Sequence, residues 1–180
     1  MALRGRLPTG TVPAALLLLM VCRPDLALAV SILPPVQARL VGPYSRFLLR
    51  SLEIALRRAA ERLSDERCRS LLGEFSDPTG HRLSEALAGT GQGAGDYLGG
   101  LIFRDGADSQ PCMNEVVLAW TSPGSRTVYL CGVHFAVAAR RDAELVATIL
   151  IHEGLHTLGL PENPPSSVEI NARIARRCRP

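Results

Sequence analysis

Apolar residues recur at helical spacing in one long segment of the chain, residues 45–72. Residues three and four positions apart lie on the same face of an α-helix, so this spacing predicts a long amphipathic helix that covers a core. The outward positions carry opposite charges four residues apart, which is typical of a solvated face. The apolar positions of the inward face are Leu48, Leu52, Leu56, Ala59 and Leu63.

Short β-prone runs separated by turn residues occupy the middle of the chain. Residues 101–103 form a brief apolar run, and residues 115–120 and 126–131 form two longer ones. The two longer runs are joined by five residues that contain Pro and Gly, which predicts a β-hairpin. The Gly-rich stretch 89–100 predicts a loop that is interrupted around Tyr97.

Two further helices are predicted near the end of the chain. Residues 142–159 are apolar on most sides and begin at Asp142, a favourable N-cap, so this helix should be central to the fold. A shorter helix is predicted from about Ser167, because Ser166 and Glu169 have the spacing of a capping box. The chain is therefore expected to be α+β: a long N-terminal helix, a small mixed sheet with the hairpin, a central helix and a short C-terminal helix.

The first 29 residues have the pattern of an export signal. Two arginines precede an apolar run over residues 12–21, and the small residues Ala27 and Ala29 occupy the −3 and −1 positions of a cleavage site. This pattern predicts a signal peptide over residues 1–29 and a mature domain over residues 30–180. The exported domain would be periplasmic or extracellular, with no stable membrane insertion after cleavage.

Two alternatives to a cleaved signal are weaker. An uncleaved anchor would need roughly twenty apolar residues, and Pro24 and Asp25 follow this run after only a few positions. A lipidated Cys22 would need a small residue before it, whereas the branched Val21 is found there. Cleavage remains the favoured prediction.

Cysteine counting agrees with export. The chain has five Cys, and cleavage would remove Cys22 and leave Cys68, Cys112, Cys131 and Cys178. Four Cys in an exported chain suggest two disulfides with three possible pairings. Proximity at one end of the hairpin favours a disulfide between Cys112 and Cys131, which leaves Cys68 and Cys178 to pair with each other. No two lie two to four residues apart, so a Cys-rich zinc site is disfavoured.

The charge distribution excludes one class of partner. All 20 basic residues are Arg, and residues 30–180 carry 17 of them against 16 acidic residues, a net charge of +1. A nucleic-acid-binding domain needs a clustered basic surface, and this sequence has no such stripe. Nucleic acid is therefore not an expected partner.

The chemistry of the chain is carried by the end of the central helix, His152-Glu153-Gly154-Leu155-His156. His152 and His156 are four residues apart, so both imidazoles leave one helix face and can bind one zinc ion. Glu153 lies beside them and can act as a general base on water. On a buried helix these groups would be costly to desolvate without partners, which a metal provides. The alternative interpretation is a pair of hydrogen-bonded core histidines.

A third zinc ligand is expected just after the helix. Gly159 can end the helix in a left-handed conformation and Pro161 prevents its continuation, so Glu162 can return to the metal. The same spacing has another interpretation, in which Glu162 is an exposed loop carboxylate.

Other residues compete for roles in the site. Glu169 is the alternative third ligand, although it also fits a purely structural capping role. His81 and His134 remain further possible ligands by residue type. Tyr129 and His134, on or just after the hairpin, are candidates to stabilise an oxyanion, and both also fit packing or surface roles.

The spacing His-Glu-x-x-His-x-x-Gly-x-x followed by a ligand resembles that of the metzincin metallopeptidases. Snapalysin-type members carry Gly-Leu-Pro-Asp where this chain has Gly159-Leu160-Pro161-Glu162, and residues 151–170 are similar to small exported bacterial zincins of unknown substrate. The resemblance implies that residues 30–180 form a zincin-like metallopeptidase domain, with the two histidines and the final Glu of the motif on zinc. Metzincins also have a Met-containing turn, and no Met follows Met113 here.

These observations predict an exported zinc-dependent metallopeptidase that hydrolyses peptide bonds, with Glu153 as its base. A peptide or protein substrate would pair with an edge strand of the hairpin. The alternative is a non-catalytic secreted domain, stapled by disulfides, that binds a partner or has a structural or vestigial metal site. The intact Glu153 favours the enzyme, because a structural site needs no base.

Export yields a direct prediction. Protein recovered outside the cytoplasm should have an intact mass that corresponds to an N-terminus at or near Val30, because the signal is removed during translocation. A protein that keeps Met1 and sediments with membranes would contradict the cleaved signal.

Overall fold

The computed structural model describes residues 38–179, and its strands form one mixed sheet. Strand order is β1-β2-β4-β3, in which β1 and β2 are parallel, β2 and β4 are parallel, and β3 is antiparallel to β4. The predicted hairpin and mixed sheet are therefore confirmed. The strands are β1 (Arg39–Val41), β2 (Ile102–Asp105), β3 (Ala119–Trp120) and β4 (Thr127–Leu130). The predicted signal peptide, residues 1–29, lies outside the described residues.

Seven α-helices accompany the sheet within the described range, which confirms the α+β class. They are α1 (Arg46–Ser64), α2 (Glu66–Arg69), α3 (Leu83–Ala88), α4 (Ala94–Gly99), α5 (Gly132–Arg141), α6 (Ala143–Thr157) and α7 (Ser167–Arg177). Two 3₁₀ turns, Ser70–Gly73 and Gln110–Met113, complete the elements. None of the helices described here has the length and apolar character needed to cross a membrane.

The predicted long N-terminal helix is shorter than its apolar pattern suggests. Helix α1 begins where the Ser45 side chain accepts a hydrogen bond from the Leu48 amide at 3.1 Å. It ends before Asp65, whose carboxylate accepts hydrogen bonds from the amides of Arg67 and Cys68 and so caps a new helix, α2. The single helix predicted over residues 45–72 is therefore wrong beyond Asp65, because a capping side chain interrupts it.

The glycine-rich stretch, predicted as a loop interrupted around Tyr97, contains helix α4 at that place. Its buried residues Ala94, Tyr97 and Leu98 join the core, and α4 packs on α1. A Cβ atom at Gly95 would lie 3.2 Å from the Cβ of Ala60, so glycine permits the close approach of the two helices. Packing outweighs the low helix propensity of this stretch. Helices α3 and α5 were also not predicted.

Helix α6 is the predicted central helix. Asp142 caps it as expected and accepts hydrogen bonds from the amides of Glu144 at 3.0 Å and Leu145 at 2.9 Å. Helix α1 packs along it, and Arg62 of α1 pairs with Glu144 and donates to Thr148 at 2.8 Å. The buried apolar residues of α6 are Val146, Ala147, Leu150, Ile151 and Leu155.

Helix α7 is tied to the domain by a disulfide and by core packing. Ser166 and Glu169 form the predicted capping box at its start, and Ile170 and Ile174 are buried. Cys178, just after its last residue, is bonded to Cys68 in α2. The second disulfide joins Cys112 to Cys131, so the structure contains both predicted bridges.

The two disulfides should contribute unequally to stability. Cys68 and Cys178 are 110 residues apart, whereas Cys112 and Cys131 are 19 apart, and a longer loop loses more entropy in the unfolded chain when it is closed. Replacing the first pair by Ala should lower the free energy of unfolding by about 5 kcal/mol, and replacing the second by about 3 kcal/mol. Urea unfolding of the two double variants measures the difference, and a larger loss for the shorter loop would contradict the prediction.

Candidate metal centre

Three side chains converge at the end of helix α6. Ligand atoms of His152, His156 and Glu162 all lie within 4.8 Å of one another. The Nε2 atoms of the two histidines are 2.9 Å apart, and Glu162 Oε2 lies 3.9 Å from His156 Nε2. Both histidines are buried and the glutamate is exposed. The structure thus brings together the three residues predicted as ligands.

Hydrogen bonds on the far side of each ring determine where its proton resides. His152 Nδ1 lies 2.9 Å from Asn171 Oδ1, and His156 Nδ1 lies 2.7 Å from the carbonyl oxygen of Leu160. Both oxygens only accept hydrogen bonds, so each Nδ1 carries the proton and donates it. Each Nε2 then presents a lone pair towards the other. Two lone pairs directed at one place form a natural cation site.

The donor set suits zinc. Imidazole nitrogens and a carboxylate oxygen are common zinc ligands, and two ligands on a tetrahedral zinc ion lie about 3.3 Å from each other. The Nε2 separation of 2.9 Å is close to that value. Burial lowers the pKa of His152, which favours the neutral ring that a metal requires, and the hydrogen bond to Asn171 acts in the opposite direction. The residues present therefore fit a zinc ion.

The chain reversal that delivers Glu162 follows the predicted route. Gly159 has a φ of +109°, and the amide of Leu160 donates to the carbonyl of Leu155 at 3.2 Å. This geometry is a Schellman-type helix end, for which glycine is favoured because a side chain at positive φ is strained. Leu160 is buried and holds the turn against the core. The Glu162 carboxylate accepts a hydrogen bond from the Ser167 hydroxyl at the start of α7.

Glu153 is buried beside the ligands, with 6% of its surface exposed. The pKa of its carboxyl is raised to about 8, mainly by burial and also by the negative charge of Glu162, while a backbone hydrogen bond from Thr121 acts in the opposite direction. Thr121 directly follows strand β3, so the hairpin lies against this end of α6. A second contact agrees, because the Gly124 amide donates to the His156 carbonyl at 2.9 Å.

Glu169, the alternative ligand, lies in a capping box. Its carboxylate accepts a hydrogen bond from the Ser166 amide at 3.1 Å, and its own amide donates to the Ser166 hydroxyl at 3.3 Å. Within residues 38–179 it is not part of the ligand cluster. The geometry therefore favours Glu162 as the third ligand.

The remaining candidates also lie outside the cluster in the part of the chain that the structure describes. His81 is 73% exposed and its ring contacts the Thr79 hydroxyl at 2.7 Å. His134 lies on α5. Tyr129 stacks on Trp120 with ring centroids 4.4 Å apart, which agrees with the packing interpretation of this residue.

Asn171 was missed at the level of sequence. Only the folded chain shows that it contacts His152, because 19 residues and a chain reversal separate the two. Comparisons with protein-family models, with curated proteins and with solved structures found no match. The resemblance to zincins therefore stays a prediction.

The two glutamates can be separated experimentally. Glu162→Ala removes a ligand, so zinc affinity should fall by more than the 10–100-fold that is typical for loss of an outer-sphere partner. Glu169→Ala should leave zinc affinity unchanged and lower the free energy of unfolding by about 1 kcal/mol through loss of the helix cap. Zinc competition with a chelator and urea unfolding measure the two effects. Loss of zinc in Glu169→Ala alone would show that the ligand assignment is wrong.

Proposed function

We propose that this chain is an exported zinc-dependent metallopeptidase in which His152, His156 and Glu162 hold the metal. The observation that carries the proposal is the convergence of two Nε2 lone pairs and a carboxylate beside a buried second carboxylate, that of Glu153. A purely structural zinc site has four protein ligands, whereas a catalytic one has three and an open position. The cluster described here offers three.

The metal would supply one part of the chemistry. Bound zinc provides the Lewis acidity that three-ligand zinc sites use in the hydrolysis of peptide bonds. The protein would hold the metal ligands in place through the Leu160 carbonyl, the Asn171 amide and the Ser167 hydroxyl. These contacts orient the ligands before substrate arrives, so little reorganisation is needed during the reaction.

Glu153 would move the proton. Its carboxylate would take a proton from the attacking water and later deliver it to the leaving amine, the usual work of a general base and acid. The carboxyl must be ionised to begin, although burial and the neighbouring Glu162 charge raise its pKa to about 8. A divalent cation beside it opposes that shift, because a nearby positive charge favours the carboxylate.

Strand β3 offers a place for an extended substrate. It is the last strand in the sheet order and has β4 on one side within the described residues. The Cys131 amide donates to the Leu118 carbonyl at 2.9 Å, so the backbone groups of Leu118 face β4 and those of Ala119 face away from β4. A peptide that pairs with this edge would run towards Glu153, because Glu153 accepts a backbone hydrogen bond from Thr121, two residues after Ala119.

Export is the proposed setting of this activity. Both disulfides of the domain are of the kind that forms and persists in oxidising compartments. Together with the signal pattern at the N-terminus, they support a periplasmic or extracellular location.

Substitution of the base should separate metal binding from hydrolysis. Glu153→Gln keeps the size and helical context but cannot accept a proton, so zinc should still bind while peptide hydrolysis falls by at least the ~10²–10⁴-fold of general-base catalysis. Glu115→Gln, the same change at an exposed position, is the matched control and should behave as the parent protein. Zinc content and cleavage of a broad peptide library are the measurements.

The same experiment tests the competing class of function. His152→Ala and His156→Ala should lose zinc together with activity, because each removes a metal ligand. A parent protein that binds zinc and cleaves no peptide in the library, or a Glu153→Gln variant that cleaves normally, would refute the enzyme proposal. The non-catalytic binding domain would then be the better description.

A further inference from the structure

Two polar side chains of helix α7 face the metal-binding residues. Asn171 lies 2.9 Å from His152 Nδ1, and Ser167 contacts the Glu162 carboxylate. The two residues are four positions apart, so they lie on one face of α7, one turn from each other. One helix therefore contacts two of the three candidate ligands.

The two histidines are held by different kinds of group. The partner of His156 is the backbone carbonyl of Leu160, which any residue at that position provides. The partner of His152 is the side chain of Asn171, which depends on the identity of one residue. A neutral imidazole has its proton on one nitrogen only, so loss of the Asn171 acceptor would allow the proton to move to Nε2. A protonated Nε2 cannot bind a metal.

Helix α7 is fixed in position by contacts on both sides of Asn171. Ile170 and Ile174 are fully buried, and Arg177 pairs with Glu74 at 2.5 Å. The Cys178 disulfide to Cys68 holds the end of the helix. The position of the Asn171 amide is therefore determined by the core rather than by the metal.

We propose that α7 is a positioning element of the metal centre, in which Asn171 holds His152 in its metal-binding tautomer and Ser167 holds the Glu162 carboxylate. Neither Asn171 nor Ser167 is itself a ligand, and each acts through the ligand residue that it contacts. The inference rests on the proposed metal site, and it does not depend on hydrolysis. Asn171 and Ser167 would thus influence zinc affinity in addition to the three proposed ligands.

The test uses the full chain with its disulfides intact and zinc itself as the probe. Asn171→Leu removes the acceptor at similar volume, and Asn171→Asp restores an acceptor at the same place. Arg176→Leu, an exposed position on α7, is the matched control for a leucine on this helix. Ser167→Ala tests the second contact. Zinc affinity is measured by competition with a chelator, and the protonated nitrogen of His152 is identified in metal-free protein by ¹⁵N NMR.

The expected results follow from the acceptor roles. Asn171→Leu should weaken zinc binding 10–100-fold and shift the His152 proton towards Nε2, whereas Asn171→Asp should keep both the tautomer and the affinity of the parent. Ser167→Ala should weaken zinc binding by about 10-fold. Arg176→Leu should match the parent in both measurements.

Several results would overturn the inference. Parental zinc affinity in Asn171→Leu, or weakening of equal size in Arg176→Leu, would show that the contact does not position the ligand. If Asn171→Leu fails to fold, the NMR measurement on the parent and on Asn171→Asp still tests the proposal. A metal-free parent with the His152 proton on Nε2 contradicts it. A parent that binds no zinc refutes the proposed function instead. In that case the tautomer of His152 still tests whether α7 positions this ring.

Discussion

The burial of His152, Glu153 and His156 on an otherwise apolar helix is the constraint on which this structure depends. Each of these residues has lost nearly all of its contact with water, and a buried polar group without a partner would cost several kcal/mol. The surrounding chain supplies those partners from three directions: the hairpin, the turn after α6 and helix α7. On the two histidine rings, the partners supplied by residues 38–179 leave the two Nε2 lone pairs that face each other, and a cation would satisfy both.

The chain reversal at Gly159 connects this constraint to the rest of the fold. A helix that continued beyond residue 158 would carry the Leu160 carbonyl away from His156 and would prevent Glu162 from returning. The positive φ of Gly159 instead turns the chain so that one short loop provides a hydrogen-bond acceptor, a buried leucine and a carboxylate. The loop then leads directly into α7, whose first two turns face the same centre.

Local patterns in the sequence predicted the parts of the structure that local chemistry determines. The cap at Asp142, the capping box at Ser166 and the hairpin all follow from residues within a few positions of one another. The clustering of His152, His156 and Glu162 was predicted for the same reason, since the three residues lie within eleven positions. The interruption around Tyr97 was not recognised as helix α4 because packing against α1 stabilises that helix, and Asn171 was missed because tertiary structure alone places it near His152.

On the proposed function of an exported metal-binding domain, the disulfide between Cys68 and Cys178 has a thermodynamic consequence. The bridge restrains α7, which contacts two of the candidate ligands, so oxidation of the bridge and the proposed metal binding act on the same helix. Coupling between two equilibria is reciprocal. Whatever the bridge adds to the affinity for the ion, the bound ion adds to the resistance of the bridge against reduction. A chain still in a reducing cytosol would therefore be the weaker competitor for scarce metal, and the oxidised chain would retain its ion more tightly.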